Sequence, residues 1–131
     1  MPKYSAELTE AEWPIIKAVW RLEPCSAPQV QQALEGKMGW AYSTVRTLMD
    51  RMVAKGLLRG EKTRNVTFYS SVLTRKQAQR KELLYALKHA FNGGLTPMVQ
   101  CLLESGNISD QELADLESLI RSRKKESKRS K

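Results

Sequence analysis

The segment Ala41 to Ser70, AYSTVRTLMDRMVAKGLLRGEKTRNVTFYS, constrains the fold of this chain more than any other stretch. Its first half predicts an amphipathic helix, because apolar residues recur at the i, i+3, i+4, i+7 and i+8 positions of one helix face. These residues are Val45, Leu48, Met49, Met52 and Val53. The opposite face carries small, hydrogen-bonding and cationic side chains, and it suits a groove of DNA better than burial in a core.

A short β-hairpin is predicted directly after this helix. Gly56 is typical of a left-handed residue that ends a helix. Residues 59–62 and 66–70 then alternate in character as paired strands do, and the polar tip Thr63-Arg64-Asn65 joins them. A hairpin that follows a helix with a polar outer face is the wing of a winged helix.

Four capping boxes mark the starts of further helices. They are Thr9–Glu12, Ser26–Gln29, Thr74–Gln77 and Ser109–Glu112. The second box opens a short helix that we expect to end at Gly36. This helix, a glycine-containing connection and the Val45 helix together form a helix-turn-helix candidate.

The helices predicted over residues 74–120 have more apolar surface than so short a region can bury by itself. We therefore expect a homodimer that forms through this region, and a monomer in which the helices fold back on the winged part is the alternative. The expected dimerisation residues are Leu83, Leu84, Leu87, Phe91, Val99, Leu102, Leu103, Leu113, Leu116, Leu119 and Ile120. Residues 122–131 have no apolar side chain, which favours disorder.

The net charge of +8 is concentrated in two stretches. Residues 37–67 hold seven Lys or Arg against two acids, and residues 121–131 hold seven against one. Such patches favour a polyanionic partner. The sequence thus predicts a mainly α fold with a small β-hairpin. It comprises a winged-helix DNA-binding domain at 1–73, a helical dimerisation region at 74–121 and a basic tail at 122–131.

Two groups of residues are candidates for contact with double-stranded DNA. Small hydroxyl side chains at the start of the helix can reach base edges, and arginines can reach guanine or phosphate. On the recognition helix the candidates are Tyr42, Ser43, Thr44, Arg46, Thr47, Asp50 and Arg51. On the wing they are Lys62, Thr63, Arg64 and Asn65.

Other classes of function find little support in the sequence. No nucleophile–base pair, paired-carboxylate motif or glycine-rich phosphate loop is present, so we expect neither an enzyme nor a cofactor. The single His89 and the two distant cysteines, Cys25 and Cys101, fit no metal-ligand spacing. Free thiols, an acidic amino terminus unlike a signal peptide and the lack of a long apolar run favour a cytoplasmic protein without membrane insertion.

Three stretches resemble the penicillinase-repressor (BlaI/MecI/CopY) family of bacterial transcription repressors. They are LTEAEWPIIKAVW at 8–20, YSTVRTLMDRMVAKGLL at 42–58 and TFYS at 67–70. The resemblance implies an amino-terminal winged helix, a carboxy-terminal dimerisation region and a palindromic operator, in some members one that controls β-lactamase or methicillin-resistance genes. It places Thr44, Arg46 and Thr47 in the part that contacts the operator.

The chain departs from two branches of that family. Residues 104–131 lack the cysteine-rich motif of the copper-responsive branch. The β-lactam branch implies a membrane sensor-protease as a partner and cleavage at an Asn-Phe pair, and Val99-Gln100-Cys101-Leu102 here lacks that pair. A winged-helix protein-interaction module without sequence-specific DNA binding is the alternative function.

Overall fold

The computed structural model describes residues 8–129, which form six helices and a three-stranded sheet. The expectations for the first seven residues and for the last two residues of the tail lie outside this range. In chain order the elements are α1 (Glu12–Leu22), β1 (Cys25–Ser26), α2 (Ala27–Met38), α3 (Tyr42–Ala54), β2 (Leu58–Thr63), β3 (Val66–Ser71), α4 (Arg75–Phe91), α5 (Leu95–Glu104) and α6 (Asp110–Arg129). The predicted mainly α fold with a winged helix is confirmed.

The predicted capping boxes form in the structure. At the start of α1, the Thr9 amide donates to Glu12 Oε1 at 2.9 Å, and the Glu12 amide donates to Thr9 Oγ1 at 3.3 Å. Ser26 and Gln29 exchange the same pair of bonds before α2. The boxes of Thr74 and Ser109 open α4 and α6 in the same manner. Each box satisfies amides that would otherwise lack an intrahelical partner.

The antiparallel sheet has the order β1-β3-β2. The predicted hairpin is present, with each strand longer than expected, and Thr63 pairs with Val66 instead of belonging to the tip. The two-residue strand β1 was not predicted. Cys25 pairs with Tyr69 and Ser26 with Phe68, so the start of α2 lies beside the wing.

The chain divides into two compact units, Met1–Leu83 and Leu84–Lys131. In the first unit, α1, α2 and α3 pack around a core that the sheet closes. Its largest fully buried side chains include Tyr69, Ile15, Ile16, Met49, Met52, Leu57 and Leu58. Leu73 and Ala78 also join this core, which explains why the division falls inside α4 rather than at its start.

The end of α2 differs from the expectation. The helix passes through Gly36 and ends at Gly39, which has φ +62° and donates its amide to the Glu35 carbonyl. Glycine is the residue best able to adopt this left-handed conformation. Gly36 has no positive φ and is an ordinary, exposed helical residue.

Replacing these two glycines by alanine is expected to change stability in opposite directions. Gly39→Ala should lower the free energy of unfolding by about 1 kcal/mol, because alanine is strained at positive φ. Gly36→Ala should raise it by about 0.5–1 kcal/mol, because alanine favours the helix. Neither new Cβ meets an atom within 4 Å. Urea unfolding of both variants measures the two values, and equal changes would contradict the assignment of the helix end.

The second unit contains the end of α4, together with α5 and α6. Residues 122–129, expected to be disordered, instead continue α6. This stretch has no glycine or proline and is rich in lysine and arginine, which are good helix formers. Pairs along the helix, Glu117 with Arg121 and Arg123 with Glu126, also support it.

Candidate nucleic-acid interface

Helix α3 has one buried face and one exposed face, as its sequence predicts. Val45, Met49 and Met52 are fully buried. Leu48 is half-buried, and Val53, expected in the same stripe, is 37% exposed. Val53 lies at the edge of the stripe and near the end of the helix. The core therefore fixes α3 through three residues.

All candidate residues of the recognition helix lie at the surface of the first unit. Those with exposed side chains are Tyr42, Ser43, Thr44, Arg46, Thr47, Asp50 and Arg51. Ala41 precedes the helix and supplies no side-chain cap. The first amides of α3 therefore point outward without a side-chain acceptor, an arrangement that attracts anions such as phosphate.

Arg46 is the centre of a hydrogen-bonded network on this face. Its Nε donates to Asp50 Oδ1 at 3.2 Å, and its Nη1 donates to Tyr42 Oη at 3.3 Å. The hydroxyl of buried Tyr69 also donates to Asp50 Oδ1, at 3.4 Å. The hydrogen bonds to Tyr42 and Asp50 raise the pKa of Arg46, so the guanidinium stays charged.

The wing brings a second set of candidates to the same unit. Lys62, Thr63, Arg64 and Asn65 are all exposed. Arg64 has φ +60° at the tight connection between β2 and β3, which turns the chain within two residues. The tip thus presents two cations and two hydrogen-bonding side chains at the end of a stiff hairpin.

A shallow groove joins the recognition helix to the wing. Tyr42, Arg46, Lys62 and Asn65 contribute to its lining, and Tyr69 forms part of its floor. The groove also includes residues that the sequence did not single out, namely Ser26, Ala27, Pro28, Val66 and Thr67. They reach it because β1 pairs with β3, a contact between distant parts of the chain without a local signal.

A second depression lies on the other side of α3. It includes Ser43, Thr44, Thr47 and Arg51 beside Trp40. Trp40 is half-buried against the core, and its carbonyl accepts from Gln31 Nε2 at 3.1 Å. Trp40 therefore supports the connection between α2 and α3.

A buried ion pair holds the far end of α3. Lys55 Nζ lies 2.6 Å from Glu12 Oε1, and the Glu12 side chain is fully buried. Burial opposes ionisation of Glu12, but the hydrogen bonds from Lys55 and Thr9 outweigh it and lower the pKa of the carboxyl group. One carboxylate thus caps α1 and ties α1 to the end of the recognition helix.

Known proteins resemble this chain over nearly all of the described residues. The family model described as penicillinase repressor matches residues 8–122. The chain belongs to the penicillinase repressor family. The match includes α1 to α5 and most of α6, and it begins at Leu8, just before the first capping box.

Two relatives illustrate the likeness. The methicillin resistance regulatory protein MecI of Staphylococcus aureus (strain N315) is 22% identical over 120 residues, which are 92% of this chain and 98% of MecI. A penicillinase repressor of Bacillus licheniformis is 25% identical over 123 residues, 92% of this chain and 96% of its own. A solved structure of a protein with unknown function from Listeria innocua Clip11262 aligns over 93% of this chain and 76% of its own, with a TM-score of 0.48 and 16% identity.

Family membership makes this chain a DNA-binding transcriptional repressor rather than an enzyme. It favours the DNA-binding interpretation over the protein-interaction module. Within residues 8–129, no helix combines the length and apolar character needed to cross a membrane.

The apolar residues expected at a dimer interface are not buried within the single chain. Leu83 is 55% exposed and Leu119 is 67% exposed. Leu84, Leu102, Leu103, Leu113 and Ile120 are also exposed, while Leu87, Phe91, Val99 and Leu116 are half-buried. In the described part of the second unit, no residue is fully buried. Exposed apolar surface of this extent indicates a missing partner surface.

The thiols and the histidine have structural surroundings. Burial, followed by the nearby charge of Glu23, raises the pKa of Cys25 to about 11, so this thiol is protonated at neutral pH. Cys101 is exposed. The ring of His89 stacks on Tyr85 with 3.9 Å between centroids. Among residues 8–129, no three His, Cys, Asp or Glu side chains lie close enough to hold a metal ion.

Proposed function

We propose that this chain is a homodimeric repressor that binds a palindromic operator with α3 in the major groove. The observation that carries the proposal is the exposed, hydrogen-bonding and cationic face of α3, which shares a groove with the basic wing. An α-helix fits the major groove of B-DNA, where each base pair shows a distinct pattern of donors and acceptors. A promoter occupied in this way is closed to transcription.

The side chains of α3 divide by reach and chemistry. Ser43, Thr44 and Thr47 are short and can contact base edges or a thymine methyl group. Arg46 is long enough for the two acceptors of guanine, and Arg51 for a flanking phosphate. Tyr42 and Asp50 belong to the Arg46 network. This half of the interface supplies the sequence selectivity.

The wing supplies affinity with little selectivity. Lys62 and Arg64 are placed for phosphate or minor-groove contact, and Thr63 and Asn65 can donate to phosphate oxygens. Each neutralised phosphate releases counterions, so this part of the affinity falls as salt rises.

The exposed apolar residues of α4, α5 and α6 support a dimer that forms through these helices. Two-fold symmetry of the dimer matches the symmetry of an inverted repeat. The centres of the half-sites would lie about 10–10.5 base pairs, or a multiple of this distance, apart. The names of the relatives make promoters of β-lactam resistance genes the first to examine.

Induction by a membrane sensor-protease would act on α5. Residues 99–102 lie within this helix, and Gln100 and Cys101 are exposed. Cleavage there would separate the DNA-binding unit from α6 and weaken the dimer, which lowers affinity for a two-half-site operator.

Selection of bound sequences from a pool of random DNA duplexes tests this function for any operator sequence. We expect an enriched inverted repeat, which a complex of two chains binds with one duplex in sedimentation experiments. A duplex with one half-site scrambled is the matched control and should bind more weakly by at least about 100-fold. Enrichment of no motif, or binding as a single chain, would contradict the proposal.

A further inference from the structure

We propose that Asp50 is a specificity-determining residue, which orients the Arg46 guanidinium for base reading and keeps it from acting as a free cation toward phosphates. The inference rests on the proposed function and deepens it. It gives Asp50 a role distinct from direct contact with DNA, which an acidic side chain would make against phosphate repulsion.

The contacts of Arg46 leave a particular part of the guanidinium available. Its five N–H donors form a planar fork. Asp50 engages Nε, and Tyr42 engages Nη1 from the same helix. A donor on Nη1 and both donors on Nη2 remain, at the end of the fork. A pair of parallel donors at this end matches the O6 and N7 acceptors of guanine.

The carboxylate of Asp50 is itself held in place by the sheet. Tyr69 is 2% exposed and donates its hydroxyl to Asp50 Oδ1. Its strand pairs on both sides, with Cys25 on β1 and Gly60 on β2 opposite Tyr69. Burial raises the pKa of Tyr69, so the hydroxyl keeps its proton at neutral pH. The orientation of Arg46 therefore depends on a rigid part of the fold.

The charge of Asp50 also discriminates between targets. An arginine paired with a carboxylate gains less from a phosphate than a free arginine does, because the pair is close to neutral. Guanine acceptors remain attractive to the oriented donors, so the pair lowers non-specific affinity more than specific affinity. Both side chains are partly exposed, 44% for Arg46 and 58% for Asp50, so solvent moderates the effect.

The test compares Asp50→Ala with the wild-type chain on an operator duplex and on a scrambled duplex, by fluorescence anisotropy at several salt concentrations. On the scrambled duplex, affinity should rise about 3-fold and the salt slope should steepen by about 0.9 per chain, because a freed arginine neutralises one more phosphate. On the operator, affinity should fall about 5-fold because the donors are no longer aligned with guanine.

Two further variants separate charge from orientation. Asp50→Asn keeps an oxygen acceptor, so non-specific binding should rise as in Asp50→Ala while operator binding falls less. Tyr69→Phe keeps the charge and removes the anchor, so operator binding should fall without a rise on the scrambled duplex. Both substitutions are nearly isosteric, and thermal unfolding verifies that the variants fold.

Glu61→Gln is the matched control for loss of one negative charge. Glu61 is exposed on β2 and is not part of the Arg46 network, so its loss should strengthen binding to both duplexes equally. An operator preference that is the same in Asp50→Ala and wild type would overturn the inference alone. A wild-type chain that does not discriminate between the duplexes would overturn the proposed function and the inference together.

Discussion

Arg46→Ala is expected to weaken operator binding by about 100-fold or more. A bidentate arginine–guanine contact contributes about 1–3 kcal/mol of discrimination, and a dimer loses two of them. Binding to a scrambled duplex should change much less, because the paired Arg46 contributes little to it. Anisotropy titrations on both duplexes measure the change.

Arg121→Ala is the matched control for this prediction. It also removes one exposed arginine that pairs with an acid four residues away, Glu117, but it lies outside α3 and the wing. It should leave the preference for the operator unchanged. If Arg46→Ala weakens both duplexes by the same factor, Arg46 contacts phosphate and does not read bases.

Glu12→Gln is expected to cause a large loss of stability. The variant removes the charge that pairs with Lys55 at 2.6 Å and weakens the cap of α1. Breaking a buried pair costs about 3–5 kcal/mol. Lys55 is 25% exposed and regains some hydration, so a decrease of about 2–3 kcal/mol in the free energy of unfolding at pH 7 is expected.

The difference between Glu12→Gln and wild type should depend on pH. The folded structure lowers the pKa of Glu12 below the ordinary value of 4.5. Stabilisation by this carboxylate is therefore complete above that value and is lost as the pH falls through the lower, folded-state pKa. Urea unfolding at pH 7 and pH 3 measures this, and the difference should shrink at the lower pH.

Glu10→Gln provides the comparison for Glu12→Gln. Glu10 lies in the same capping segment and is exposed, so its replacement should change stability by less than about 0.5 kcal/mol. A change that small in Glu12→Gln at pH 7 would show that the buried pair does not hold α1 to the end of α3.

Local signals made much of the fold predictable from the sequence. Each capping box requires only four consecutive residues, so the starts of α1, α2, α4 and α6 could be read directly. The buried face of α3 follows from its helical period, since Val45, Met49 and Met52 lie on one side. The wing follows from alternation and its position after Gly56.

Features that depend on distant contacts could not be predicted. The strand β1 has two residues and exists only because Cys25 and Ser26 meet β3, more than forty residues later. The end of α2 was misplaced because two glycines compete, and only the left-handed φ of Gly39 decides between them. The link from Tyr69 through Asp50 to Arg46 joins two elements, so no local pattern indicates it.

The continuation of α6 shows a limit of reasoning from composition. Residues 122–129 lack the apolar side chains of a packed helix, which favours disorder in sequence. Lysine and arginine nevertheless propagate a helix that is already formed, and the absence of glycine and proline gives it no stop signal.

A dimethyl sulfate footprint on the selected operator tests most directly whether two copies of α3 read an inverted repeat. The modification occurs at guanine N7 in the major groove, where Arg46 is placed by the proposed geometry. We predict two protected guanine patches related by two-fold symmetry, about one helical turn or a multiple apart, both lost in Arg46→Ala. A single protected patch, or protection that persists in Arg46→Ala, would contradict operator reading by a pair of α3 helices.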